Sequence, residues 1–371
     1  MPKFICTTKT LKEALSIAAR NLNRNSPKDV FKGLFFQTST NAVSMTATDG
    51  VSKTTITIPA DVREEGDAIV LAEKFIQFVA KLDDDKVTIE ADEKSAKIEY
   101  HGNHARIPVI AGVFPEYERE KDVVPVKFNA KGIAEALEKT IYCCAGDATQ
   151  YPILRGVLFE IGSEGVNIVA LDGQRGSCVN LHDINELPGA VELPMKPVVA
   201  SKTAGDLLKI IQDTDNEEVV IGFGEKRVYL TLKDISYESA LLNGEYVDFR
   251  RLFKSDSTVE PIITVNGTEF RNAVERAMLF SESGALRLEI NDGLIIRQSS
   301  QNGDINERVY ALGETRNNVV FGINPKYLLD VLRRLSTDTV VIRKNTGAAV
   351  SAIYIDDDNT TNLIMPVRLP Q

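Results

Sequence analysis

Helical periodicity occupies only short windows of the chain, and the runs between them alternate apolar and polar residues as strands do. The clearest helical window is 325–335, where Tyr327, Leu328, Val331, Leu332 and Leu335 form one apolar stripe. Asn324 stands in cap position and Pro325 in the first turn, where its missing N–H is harmless. Lys326, Asp330, Arg333 and Arg334 fall mainly on the outer side. Windows 72–82 and 202–211 have the same character, and each is followed by an alternating strand, at 86–89, 218–221 and 339–342 in turn.

The pattern repeats three times. CTTKTLKEAL (6–15), FNAKGIAEAL (128–137) and VNGTEFRNAV (265–274) each place an apolar residue, mostly polar residues, an apolar residue and then Ala-apolar. Leu11, Ile133 and Phe270 are the equivalent positions, and the interval between them is a domain's length, far longer than a solenoid repeat. Strand-like runs at 33–37, 156–160 and 285–289 confirm the register. Each leads into an alternating run that closes on Asp49-Gly50, Asp172-Gly173 or Asn302-Gly303, pairs that tolerate the positive φ of a tight turn. Every copy reads strand, helix, hairpin strands, second helix, more strands. The expected fold class is therefore α+β, with three similar domains in tandem at 1–122, 123–256 and 257–371, each carrying two small helices on antiparallel sheets. Asp122-Val123-Val124-Pro125 and Lys254-Ser255-Asp256-Ser257 read as the short connections.

Composition narrows the function. At 371 residues, 43% hydrophobic and 26% charged, the chain is an ordinary globular protein. It has no apolar run of membrane-spanning length and no signal-peptide core near Met1, so we expect it in the cytoplasm and away from membranes. The net charge of −10 argues against a surface that grips nucleic acid everywhere, so any such contact must be local. The helices supply it: Lys9, Lys12 and Arg20 flank the first stripe, Lys131 and Lys139 the third helix, Lys202 and Lys209 the fourth. Six helices at equivalent places could line one positive surface suited to sequence-independent contact with a duplex backbone.

Catalytic chemistry is not signalled. Cys6, Cys143, Cys144 and Cys178 form no CxxC pair, and His101, His104 and His182 sit in no recognisable catalytic motif. Asp83-Asp84-Asp85 and Asp356-Asp357-Asp358 lack the loop spacing and bidentate Glu of a calcium site. We expect no enzyme activity, no cofactor and no metal.

Several runs together resemble the bacterial sliding clamp family, the beta subunit of the replicative DNA polymerase III. They are Leu154-Arg155-Gly156-Val157-Leu158-Phe159-Glu160, Ala170-Leu171-Asp172-Gly173-Gln174-Arg175, Asp248-Phe249-Arg250-Arg251-Leu252, Tyr327-Leu328-Leu329-Asp330-Val331-Leu332 and Met365-Pro366-Val367-Arg368-Leu369. The resemblance implies two chains closed head to tail into a six-domain ring around double-stranded DNA, tethering DNA polymerases for processive synthesis and loaded by an ATP-dependent clamp loader. Three domains that each turn about 60° make half a circle, so two chains would close it. The alternative is a scaffold of the same fold that forms no ring.

The resemblance also implies three sets of residues. A groove for short partner peptides would comprise Leu154, Leu171, Gly173, Gln174, Arg175, Val247, Arg251, Leu252, Asn324, Tyr327, Val350, Ala352, Met365, Pro366, Val367 and Arg368. Arg175, Arg251 and Arg368 would rim it, and Pro366, which cannot donate to a ladder, would mark an edge or end of the last strand. The DNA-facing cations would be Lys12, Arg24, Lys74, Lys131, Lys139 and Lys202. The homodimer contact would set Lys74, Ile107 and Val109 against Leu279 and Phe280. The chain departs from the family pattern at Leu171, Gln174, Gly176 and Val247 in the groove, and at Glu73 and Ser201 on the helices.

Overall fold

The computed structural model describes residues 1–83, 85–182, 194–253, 258–280, 285–301, 303–315, 318–346 and 350–369. Six helices alternate with antiparallel strands: α1 Thr8–Ala18, α2 Ala72–Val79, α3 Ala130–Glu138, α4 Ser201–Gln212, α5 Gly267–Met278 and α6 Pro325–Leu332. The second and sixth end a few residues before their expected limits. Caps follow side-chain chemistry, since Thr7, Asn266 and Asn324 each accept an N–H from the first turn of α1, α5 and α6.

Packing divides the chain into two compact units. One comprises Met1–Ala130 with Lys209–Leu241, and the other the rest of the described chain. The middle third is shared between them, because its two halves each pair with a neighbouring third. The expected connection at 254–257 lies outside the described residues, as do Asn302, Pro370 and Gln371.

The first unit holds two sheets. Its eight-stranded sheet runs Val124–Asn129, Glu218–Phe223, Arg227–Thr231, Ile235–Ala240, Ser52–Pro59, Ala42–Thr48, Gly33–Ser39 and Asp67–Leu71. A first seam joins two thirds of the chain at the pairing of Ile235–Ala240 with Ser52–Pro59, in register from Ile235↔Ile56 to Ser239↔Ser52. The buried hydroxyls of Ser52 and Ser239 meet across it at 2.9 Å. The five-stranded sheet runs Asp61–Glu64, Lys3–Thr7, Lys86–Ala91, Ser95–Tyr100 and Asn103–Pro108, so that Asp61–Glu64 is one edge and Asn103–Pro108 the other. Phe4, Phe36 and Phe75 pack in an aromatic row within this unit.

The second unit repeats the plan. Its eight-stranded sheet runs Val198–Ala200, Gly156–Gly162, Gly165–Leu171, Arg175–Leu181, Thr360–Ile364, Ile353–Asp357, Thr339–Asn345 and Val259–Asn266. A second seam pairs Arg175–Leu181 with Thr360–Ile364, from Arg175↔Ile364 to Val179↔Thr360. The four-stranded sheet runs Gly303–Val309, Leu294–Ser300, Leu286–Ile290 and Val319–Ile323, with Gly303–Val309 open. Its core joins Phe270, Val274 and Ala277 of α5 to Leu328, Val331 and Leu332 of α6 and to Leu286, Leu288 and Ile296 on the strands.

Candidate functional site

The groove expected at the second seam is built around one turn. Gly173 has φ +88°, a conformation that strains any residue with a Cβ. Asp172 Oδ1 accepts the backbone N–H of Gln174 at 2.8 Å and of Arg175 at 2.9 Å. This fixes Arg175 at the head of its strand. Its Nε donates to Asp172 Oδ2 at 3.0 Å, Nη1 to Asp330 Oδ2 at 2.6 Å and Nη2 to the Tyr142 carbonyl at 2.7 Å. Its guanidinium carbon lies 4.3 Å from the Tyr327 ring centroid and 5.2 Å from that of Tyr142. Burial pulls the Arg175 pKa down, but the bonds to Asp330 and Asp172 outweigh it and the net displacement is upward. Arg175 is thus a strut in the wall, with its side chain 12% exposed, and not the rim cation the sequence suggested. A planar fork matches two carboxylates and a carbonyl better than a flexible ammonium could.

Around this strut the structure brings much of the expected set together. Leu154 and Leu171 are buried in one cluster with Tyr246 and Phe249, and Phe253 packs against both this cluster and the one holding Ala352 and Tyr354. The Tyr354 hydroxyl donates to the Leu252 carbonyl at 2.9 Å. Met365 N–H donates to the Gln174 carbonyl at 2.7 Å, and Val367 N–H to Gly322 at 2.9 Å. Asn324 caps α6 by accepting from Lys326 N–H at 3.0 Å, and Val350 and Tyr327 pack on the edge of the large core cluster. Val247, Leu252 and Met365 stay exposed although apolar. Gly173, Gln174, Arg251 and Arg368 are exposed too, and Arg251 pairs with Asp248 at 3.0 Å, so Arg251 and Arg368 supply the accessible positive charge. Strand Thr360–Ile364 is central, not an edge; it ends before Met365 and Pro366, of which Met365 is exposed and Pro366 half-buried. Sequence reasoning missed Tyr142, Tyr246, Phe253 and Asp330. Only Asp172, three residues before Arg175, carried a readable signal.

The helix cations divide. Lys74, Lys131 and Lys202 are exposed, and Lys131 and Lys202 reach Glu135 and Asp206 one turn away. Arg24 is exposed and 3.7 Å from Glu73, and Lys12 is half-buried, donating to the Leu82 carbonyl. Lys139 overturns its assignment. It is 8% exposed, and its ammonium donates to Asp357 Oδ2 at 2.6 Å and Ser336 Oγ at 2.8 Å. The buried carboxylate turns it inward.

At the open edges, Ile107 is buried within its own unit, so it reaches the edge of Asn103–Pro108 only through its backbone; Val109 is half-buried and bridges to Val70. Leu279 is 79% exposed directly after α5, and Phe280 lies against Gly303 at the start of the other open strand. The thiols of Cys6, Cys143, Cys144 and Cys178 are pushed up to about 12 by burial, so none offers a thiolate near neutral pH. No helix among the described residues is long and apolar enough to cross a membrane.

Comparison with known proteins now adds independent findings. Models of the DNA polymerase III beta subunit match in order: the N-terminal domain at residues 2–116, the central domain at 127–248 and the C-terminal domain at 251–368. The beta sliding clamp of Vibrio cholerae is 25% identical over 99% of this chain and 100% of its own length. That of Staphylococcus epidermidis is 24% identical over 91% of this chain and 92% of its own. The sliding clamp of Bacillus subtilis superposes with a TM-score of 0.88 at 23% identity, and that of Bartonella birtlesii, solved bound to griselimycin, with 0.91 at 22%, each covering 100% of both chains. Three consecutive domain models of one family, spanning nearly the whole sequence in the expected order, establish that the chain belongs to the DNA polymerase III beta subunit, or beta sliding clamp, family.

Proposed function

We propose that two copies of this chain close head to tail into a ring around duplex DNA and act as a sliding clamp, holding polymerases to their template. One observation carries the reading. Each closed seam joins the last hairpin strand in the first half of one third to the last strand in the second half of the next third. The two remaining strands of those kinds, Gly303–Val309 and Asn103–Pro108, are both open edges. Open edges are normally blunted or covered, and a third seam between two copies would cover both at once. Leu279 and Phe280 beside one edge, and Lys74, Ile107 and Val109 at the other, are the residues of that contact.

Within such a ring the exposed cations Arg24, Lys74, Lys131 and Lys202, with half-buried Lys12 beside them, face the DNA backbone. Several have acidic neighbours on their own helices, which suits a grip that is topological more than adhesive. The groove around Leu171, Tyr327 and Met365 accepts an apolar peptide anchor, with Arg251 and Arg368 reading its polar or carboxylate groups. A polymerase and the ATP-dependent clamp loader are the partners this chemistry suits, and the cytoplasm is their place. The protein itself catalyses nothing and needs no cofactor; 1–122, 123–256 and 257–371 are its three domains.

The test is retention on circular against linearised DNA, paired with sizing. A ring stays on the circle through a high-salt wash and slides off free ends. Equal loss from both, with a monomer at every concentration, would return the protein to the non-ring scaffold reading.

A further inference from the structure

The two closed seams share one register. In the first Tyr237 lies opposite Thr54, and in the second Asn362 lies opposite Ser177. The ladders behind them make Tyr237, Asn362 and Ala105 equivalent, because they face Leu230, Ile355 and Ile98, which in turn face Ile221, Ile342 and Ile89. On the other side Thr54, Ser177 and Ile305 are equivalent. They sit alike beside Ile56, Val179 and Glu307, which face Met45, Ile168 and Ile296, and these face Phe36, Phe159 and Leu288 of the repeated strand. The same register at the open edges sets Ala105 against Ile305, both half-buried, and Arg106 against Asp304, both exposed. Oppositely charged residues directly across a ladder stabilise it. Alignment by the turn at Gly303 alone would instead set Ala105 against Glu307 and Arg106 against Asn306, which leaves Asp304 without the arginine.

Beside each seam stands one residue at the end of the first helix of a third: Ile17, Lys139 and Arg276, as Leu11, Ile133 and Phe270 correspond. In the second seam Lys139 donates to Asp357 and to Ser336 Oγ. The places of those two acceptors in the first third belong to Tyr100 and Asp83. Tyr100 faces Asn103 as Asp357 faces Thr360, and Asp83 lies between α2 and strand Lys86–Ala91 as Ser336 lies between α6 and strand Thr339–Asn345. The Asp83 side chain is 94% exposed, and Phe78 meets the half-buried Tyr100 ring edge-on at 5.4 Å. Arg276 bonds Glu307 of its own chain through Nε and Nη2, which leaves N–H donors to spare.

We propose that the joint between two copies of this chain repeats the register of the closed seams, Ile305 lying opposite Ala105 of the partner subunit, and that Arg276 takes the place of Lys139 by joining its own Glu307 to Asp83 and Tyr100 of the partner subunit. This rests on the head-to-tail ring and specifies which residues close it. The carboxylate has moved from the strand to the loop after the helix, but the sense of the charge pair is kept. A guanidinium suits the change, since its planar fork can serve two carboxylates and stack on a ring, as Arg175 does with Asp172, Asp330 and Tyr327. In the first seam the corresponding places hold Ile17 and Leu232, and a continuous chain sets the register there. Between copies no tether does so, and paired charges fix it instead.

Two measurements on the full chain test it. Arg106→Cys with Asp304→Cys should oxidise to a covalent dimer about tenfold faster than Arg106→Cys with Asn306→Cys, because only directly opposite positions come within disulfide reach. All three positions are exposed, so the fold should tolerate the changes, and the unaltered protein with its four cysteines is the blank. Equal rates, or a faster slipped pair, would overturn the register while the ring stands. For the second contact, Asp83→Asn and Arg276→Gln should each raise the dimer Kd about tenfold, and the double variant should cost no more than either alone. Fully additive losses, or no loss from Asp83→Asn, would remove Arg276 from the joint. A monomer at every concentration, for the unaltered protein, would remove the ring and this joint together.

Discussion

Two cations that the sequence placed at the surface, Arg175 and Lys139, turn out to hold the interior together, each through carboxylates far away in the chain. Helical spacing reveals which face a side chain occupies. It does not reveal whether a distant strand brings an acid to meet it, which is why Asp330 and Asp357 were invisible as partners. The two sites carry separate predictions. Arg175→Ala removes a strut shared by Asp172, Asp330 and Tyr142, so it should weaken a polymerase-derived peptide about tenfold or more while the dimer persists by sizing. Unchanged peptide affinity would detach Arg175 from the groove. Asp357 tests acid stability. Burial raises its pKa, but the bonds from Lys139 and from Ser336 outweigh this and hold it below the usual 3.8. A depressed carboxylate contributes stability above its unfolded value and loses it as pH falls through the folded one. Lys139→Met should therefore cost about 3 kcal/mol at neutral pH, where it strands a buried charge. The deficit in Tm should shrink below pH 4, where Asp357 takes up a proton; a gap that widened in acid would contradict the assignment.

Elements were far more legible than their partners. Alternation, Asp-Gly pairs and capped amphipathic windows located strands, turns and helices, because each is governed by local backbone preference and one buried face. Helix ends slipped where apolar residues such as Leu335 continue past the last hydrogen-bonded turn. Strand partners could not be read at all. That Ser52–Pro59 meets Ile235–Ala240 depends on contacts between residues as far as 187 positions apart, more than a domain's length. The edge beside Leu279 belongs to this scale. Because Leu279 is exposed, Leu279→Asp should move Tm little, within about 0.5 kcal/mol of equivalent stability. It should nevertheless shift a sizing profile from dimer to monomer. Persistence of the dimer would place the contact elsewhere.

For the molecule as a whole, threefold repetition was the most informative signal in the sequence, and the three family-domain matches agree with it. The exposed groove residues carried over from the resemblance do lie around one seam, whereas its buried wall of Tyr142, Tyr246 and Phe253 came from segments with no distinctive local pattern. The two covalently tethered seams lead to a further consequence for assembly. Their strands share a chain, so their effective concentration is fixed by tether length and dilution cannot separate them. Only the joint proposed between copies obeys mass action. Lowering the protein concentration would thus undo the proposed joint and leave the others closed, so that connectivity alone sets where such an assembly comes apart, without any residue evolved for weakness.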